Sequence, residues 1–199
     1  MRIYTSWDDG SVYDFRICTL LKKYNLPGIF YIPTINDLSE GEIIGMSKDF
    51  EIGGHTTTHP EDMKRLSAED QYNEIKDNKD YLEELIGKEI TSFCYPGGRH
   101  NEITIEQVKK AGFKEARTTN IAWISENDNP FKLQTAIHVR PDRKEYQGDS
   151  WLRVAKKLFD GASILRDGNY HVWGHGWEVE QFGLWDELEE LFKYISKNK

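Results

Sequence analysis

The sequence has almost none of the features that would tie it to a disulfide scaffold, a nucleic-acid surface or a bilayer. Two cysteines in 199 residues, Cys18 and Cys94, are too few for a disulfide framework. Each lies in an apolar segment, where a small buried free thiol is expected. Cationic residues are outnumbered, 26 Lys and Arg against 34 Asp and Glu, for a formal charge of −8. Tracking phosphates requires clustered Lys and Arg, so no nucleic-acid partner is expected and a neutral or weakly charged substrate fits better. No apolar run approaches the ~20 residues that span a bilayer, so no membrane span is expected. An apolar leader is missing too: Met1-Arg2 runs straight into the strand-like Ile3-Tyr4-Thr5-Ser6-Trp7, which makes the cytoplasm the expected location. Repeats, low-complexity tracts and linkers are absent. The 38% hydrophobic content suffices to close one core, which predicts a single catalytic domain over 1–199.

What the chain does have is rhythm. Short β-rich runs at 2–7, 28–32, 50–53, 91–95, 113–118, 135–139 and 169–174 alternate with helical patterns at 12–24, 67–86, 103–111, 150–160 and 183–196. This alternation predicts an α/β fold with a mainly parallel sheet or barrel. Ser67 and Asp70 form a capping-box pattern, and Leu184, Leu188, Leu191, Phe192 and Ile195 trace a core-facing stripe on the last helix. The stretch 119–134 has no firm pattern and is expected to pass over the site.

The unusual polar residues fall just after predicted strands, where barrels and open parallel sheets place their active sites. Ser6-Trp7-Asp8-Asp9-Gly10 follows the first strand and His55-Thr56-Thr57-Thr58-His59-Pro60 the third. The fourth ends in Tyr95-Pro96-Gly97-Gly98-Arg99-His100, and the last in Trp173-Gly174-His175-Gly176-Trp177-Glu178. Adjacent carboxylates repel, so keeping Asp8 and Asp9 together in a cleft calls for a cation or a proton; a solvated Asp-Gly turn is the alternative. His55 and His59, four apart, can aim two imidazoles at one ion from a loop with a short helical turn, or can be turn histidines. With Asp9 they form a set suited to Zn²⁺, Co²⁺, Ni²⁺ or Fe²⁺ that leaves coordination positions open.

In this order the four segments resemble the polysaccharide deacetylase family, carbohydrate esterase family four. Ser6-Trp7-Asp8-Asp9-Gly10 matches its first motif and His55-Thr56-Thr57-Thr58-His59-Pro60 its second. The resemblance implies an irregular (β/α) barrel of seven or eight mainly parallel strands and a metal-dependent hydrolase that removes N-acetyl groups from an amino sugar or oligosaccharide. It further implies Asp8 as general base, Asp9, His55 and His59 as ligands of a divalent metal, most often zinc, and His175 as general acid, with the backbone N–H of Tyr95 at the carbonyl oxygen. A non-sugar amidohydrolase acting on linear or cyclic amides, or an inactive carbohydrate-binding relative, is the alternative.

The chain departs from the family in two places. The arginine that many members carry in the third motif is replaced by Cys94, which leaves Arg117 as the candidate to hold Asp8, the alternative being a surface arginine. The usual aspartate of the fourth motif is missing, and Asp128 is the candidate partner for His175. His171 is the rival acid on the same strand, while His138 and His100 are unplaced. Tyr95 and Trp177 are expected to touch a sugar face, Trp173 to close the core, and Glu178 to bind a sugar hydroxyl or start the last helix.

Overall fold

The structure, a computed structural model, describes residues 1–199. Seven strands form a single sheet in the order β5-β4-β3-β2-β1-β7-β6, with every neighbouring pair parallel. They are β1 (Arg2–Asp8), β2 (Ile29–Ile32), β3 (Glu51–Gly54), β4 (Ser92–Cys94), β5 (Glu115–Arg117), β6 (Ile137–His138) and β7 (Asn169–His175). Each falls inside or within one residue of a predicted run. The sheet curls into a half-barrel with helices on its outer face, as the expected (β/α) barrel requires.

The helices follow their sequence signals. The αL residue Asn25 ends α1 (Asp14–Tyr24), and Ser67 caps α3 (Ala68–Ile86), whose αL stop is Gly87. Asn101 caps α4 (Glu102–Lys110) and Ser150 caps α5 (Trp151–Ser163), and α7 (Trp185–Asn198) buries Leu188, Leu191, Phe192 and Ile195 as predicted. Two short helices were not anticipated: α2 (Glu40–Met46) and α6 (Gly176–Gln181). A capping box marks α2, with the Ser39 N–H donating to Glu42 at 2.8 Å, but two turns are too few to show periodicity.

Period-2 alternation divides the strands into two faces. Trp7, Phe30, Ile32, Ile52, Phe93 and Ala116 point outward into the main core beneath the helices. The inner face is different. Its only apolar cluster is Ile29, Tyr31 and Cys94, and polar pairs fill the rest, with Ser6 Oγ 2.8 Å from His171 Nε2 and Tyr31 Oη 2.6 Å from Ser92 Oγ. A cavity of about 460 Å³ opens where the strands begin, between Arg2, Tyr4, Glu115 and His171. It lies at the end opposite the chemical groups.

The stretch 119–134 does not pass over the site, contrary to expectation. Asn169 donates its N–H to the Ile124 carbonyl at 2.8 Å and Arg2 pairs with Glu126, which puts residues 124–126 where the strands start. The chain then returns along the open edge. Leu133 bonds both Ala116 and Thr118, and the chain then runs on into β6, so the segment fills the gap between the edge strands β5 and β6. Its backbone satisfies a sheet edge that would otherwise be bare, and this explains why its side chains carry no regular pattern. No helix is long and apolar enough to cross a membrane.

Phe192 is fully buried and meets the Trp7 ring edge-on at 6.2 Å, locking α7 to β1. Phe192→Ala is expected to cost about 3–5 kcal/mol of unfolding free energy. Ile164→Ala, at a side chain 84% exposed, should stay within about 0.5 kcal/mol. Denaturant titration of both variants checks the assignment.

Candidate metal centre and active site

All four chemical segments meet at the C-terminal end of the strands. Asp8 is the last residue of β1, in register with His175 at the end of β7, and His55 follows β3 directly. Asp9 bends away with φ of 79°, and Thr56 and His59 have φ of 69° and 51°. Left-handed backbone at non-glycine residues costs of order 1–3 kcal/mol each and persists only where the surroundings enforce it. The His55–His59 loop is therefore a pair of left-handed turns, not the expected helical turn. His59 N–H donates to Thr56 Oγ1 at 3.1 Å, which closes it.

Asp9, His55 and His59 converge. Asp9 Oδ1 lies 3.5 Å from His55 Nε2 and 3.5 Å from His59 Nε2. That oxygen is buried and has no hydrogen-bond partner. His55 Nδ1 is 2.7 Å from the Cys94 carbonyl, which can only accept, so Nδ1 carries a proton and Nε2 is the nitrogen directed at Asp9; burial lowers the basicity of this imidazole, but Cys94, Asp9 and Asp8 outweigh it and raise the net value. Burial, then the neighbouring His55, pushes the His59 imidazole below its ordinary value and favours the neutral ligand form. A buried oxygen without a donor and two imidazole nitrogens around one point suit a divalent cation, which would displace the proton from His55 Nε2 as it binds.

Asp8 is discharged in another way. Burial raises its carboxyl, but the Arg117 guanidinium overcomes that, with His55 and His175 adding to the effect, and the net shift is downward. Arg117 Nη2 bonds both Asp8 oxygens, and both residues are buried. The same nitrogen lies 2.9 Å from Cys94 Sγ, and the guanidinium stacks 4.7 Å from the Trp173 ring centroid. Arg117 is thus no surface arginine. It enters from the strand next to Cys94, across the register pair Cys94↔Arg117, and fills the inner-face space that a cysteine leaves.

His175 faces the same cleft, its Nε2 3.7 Å from Asp9 Oδ2. Its partner is not Asp128, which is exposed on the distant 119–134 segment. Glu178 holds it instead, with Oε2 2.5 Å from His175 Nδ1 and 2.8 Å from His138 Nε2, and with Oε1 accepting from Arg140 at 2.5 Å. Glu178 is buried, so it neither meets a sugar hydroxyl nor starts the last helix; it lies in α6, one turn after His175. The i, i+3 spacing was the available signal, but it points to a pair only once α6 is known. Burial lowers the basicity of His175, but the Glu178 hydrogen bond and the charges of Asp8 and Asp9 outweigh it and raise the net value. His138, pushed down to about 4 by burial despite Glu178, stacks on Trp173 at 3.8 Å and serves as a neutral donor to the carboxylate.

Three other expectations resolve on geometry. The Tyr95 side chain is fully buried, its hydroxyl donating to the Phe131 carbonyl at 3.1 Å, so it cannot stack on a sugar. It follows inward-facing Cys94 and so turns outward against Phe93. Its N–H donates to the Arg117 carbonyl at 3.2 Å, continuing the β4–β5 ladder, and is not free to meet a carbonyl oxygen. Trp177, 38% exposed, donates Nε1 to Asp9 Oδ2 at 3.0 Å and borders the cleft; Trp173 is buried as expected. His171 lies one layer deeper, and burial, then Arg117, pushes it down to about 3. His100 stacks on Tyr95, with its Nδ1 2.9 Å from the Gly98 carbonyl.

Residues 1–116, more than half of the chain, match the polysaccharide deacetylase family model. A peptidoglycan deacetylase of Helicobacter pylori is 29% identical over 145 residues, 72% of this chain and 44% of that protein. The chain spans about half the length of the curated relatives it matches. Among solved structures, a family 4 carbohydrate esterase from Streptomyces lividans in complex with acetate superposes with a TM-score of 0.66 at 14% identity, over 98% of this chain and 89% of that one. Peptidoglycan deacetylase PdaC from Bacillus subtilis gives a TM-score of 0.66 at 20% identity, over 98% and 83%.

A histidine whose basicity falls on folding stays neutral while the unfolded chain takes up a proton. Stability from His171 is therefore complete above about 6.5 and lost as pH drops toward about 3. Between those limits the unfolding free energy should fall with decreasing pH, with this group contributing up to about 1.4 kcal/mol per pH unit. His171→Gln should flatten that slope in denaturant titrations run at a series of pH values.

Proposed function

Given that the chain belongs to the polysaccharide deacetylase family, we propose that it is a metal-dependent hydrolase that removes N-acetyl groups from an amino sugar or oligosaccharide. The observation that carries this reading is the division of labour between adjacent carboxylates. Asp8 already has its cation in Arg117, whereas Asp9 has a buried oxygen without a partner between two imidazole nitrogens. Asp9, His55 and His59 would hold a divalent cation, with Zn²⁺ favoured by the mixed nitrogen and oxygen donors and Co²⁺, Ni²⁺ or Fe²⁺ also suited. When bound, it would supply Lewis-acid activation of a water and of the amide carbonyl.

The protein's own groups account for the proton movements. Asp8, buried at the end of β1 next to Asp9, takes the proton of the attacking water. Arg117 keeps Asp8 ionised and fixed in orientation, and so acts through it as a positioning residue. The amine leaves only when protonated, and His175 delivers that proton from Nε2, because Glu178 occupies Nδ1. The exposed Trp177 ring offers a flat apolar face beside Asp9 for the sugar.

His55→Ala and His59→Ala are each expected to abolish stoichiometric metal binding. Asp8→Asn should keep the metal and lower acetate release by roughly 10²–10⁴-fold. Metal analysis of the purified variants, with acetate assayed on N-acetylated sugars and on non-sugar amides, checks both halves. Full metal content in either histidine variant would refute the ligand assignment. Sugar binding without turnover, persisting in Asp8→Asn, would favour an inactive relative.

A further inference from the structure

Two of the three cation donors sit in a loop that belongs to no helix or strand, and the loop is held by a helix that contributes no donor. We infer that α3, through Glu74 and Asn78, pre-organises the His55–His59 loop for the cation. This inference rests on the Asp9–His55–His59 reading above. The two residues are four apart and so share one face of α3, aimed at the end of β3. Asn78 is fully buried; its Oδ1 accepts the His55 N–H at 2.8 Å, and its Nδ2 donates to the Ile32 carbonyl and to Thr34 Oγ1, both at 3.1 Å.

One turn earlier, Glu74 Oε2 accepts the N–H groups of Thr57 at 3.0 Å and Thr58 at 2.9 Å. Its Oε1 accepts from Thr58 Oγ1 at 2.8 Å, and its own carbonyl also takes the Thr57 N–H at 3.0 Å. The far edge of the loop is tied to the strand-end segment after β2. Thr34 donates to the Thr56 carbonyl at 3.1 Å and Ile35 to the Thr57 carbonyl at 3.0 Å. The loop is therefore clamped along both edges between its two histidines, and the left-handed residues Thr56 and His59 flank the clamped section.

Neither Glu74 nor Asn78 touches the cation position, so both are positioning residues. Without the Glu74 carboxylate the Thr58 amide and hydroxyl turn to water and Thr57 keeps only the residue-74 carbonyl, so the left-handed turns lose most of the bonds that oppose their relaxation and His59 Nε2 drifts from Asp9. The cation would then have to order the loop as it binds, and its affinity falls by that cost. A conservative change gives an intermediate result, because a glutamine has one acceptor oxygen where Glu74 uses two.

The test is calorimetric titration of the chelator-treated full chain with Zn²⁺ alone, alongside circular dichroism and thermal unfolding of the metal-free protein. Glu74→Ala is expected to weaken zinc binding by roughly 10–100-fold, Glu74→Gln by less, and Asn78→Ala at least as much as Glu74→Ala. Leu85→Ala, on the same helix but against the core, should lower the metal-free Tm while leaving zinc affinity within twofold. Co²⁺ bound to Glu74→Ala should show an altered visible absorption spectrum, which a merely destabilised fold would not produce. Zinc affinity in Glu74→Ala within twofold of the parent, or weakened no more than in Leu85→Ala, overturns the clamp. Failure of the parent chain to bind zinc sinks the cation-site reading, and the clamp with it.

Discussion

Two carboxylates at consecutive positions, both drawn into the end of a strand, pose an electrostatic problem that organises everything around them. Left uncompensated, either charge would be costly to bury. Alternation along β1 sends Asp8 inward, to an arginine from the barrel interior, and the positive φ at Asp9 turns the next side chain toward the histidine loop. Charges adjacent in sequence thus become separate in environment: one is tied to a fixed guanidinium, the other faces two imidazoles with one oxygen unpaired.

The interior of the half-barrel is built around that first pairing. Arg117 stacks on Trp173, Trp173 on His138, and His138 bonds Glu178, which holds His175. A continuous path of packed and bonded groups therefore runs from Asp8 round to His175. A buried pair of this kind contributes little net stability, but losing one member strands the other and typically costs 3–5 kcal/mol. Its value lies in orientation. The groups that would exchange protons with substrate are fixed by neighbours that are themselves fixed.

Two contacts at the site come from positions outside the first two motifs that carry the family resemblance. Cys94 stands where the resemblance would place an arginine, and Arg117 reaches Asp8 from the neighbouring strand, so the carboxylate has its counter-charge. At His175 the carboxylate likewise arrives from an unexpected position, α6, three residues downstream in the chain. In both cases the tertiary contact, not the motif position, identifies the partner.

Most of the architecture was legible from the chain alone. Periodicity located all seven strands and the five longer helices, because each buries a regular set of apolar side chains, and motif spacing picked out Asp8, Asp9, His55, His59 and His175 as a group at the strand ends. Long-range pairing was not legible. Glu178 looked like a helix-start residue, Tyr95 looked like a sugar platform, and 119–134 looked like an excursion over the site, since nothing local records which face of a strand a residue occupies or which sheet edge lies open. Glu74 and Asn78 read as ordinary polar positions on an amphipathic helix. The sequence by itself determined the elements and the reactive groups, through local periodicity and residue chemistry; only the tertiary structure decided which donor meets which acceptor, because those partners lie up to 168 residues apart and meet only once the sheet has curled.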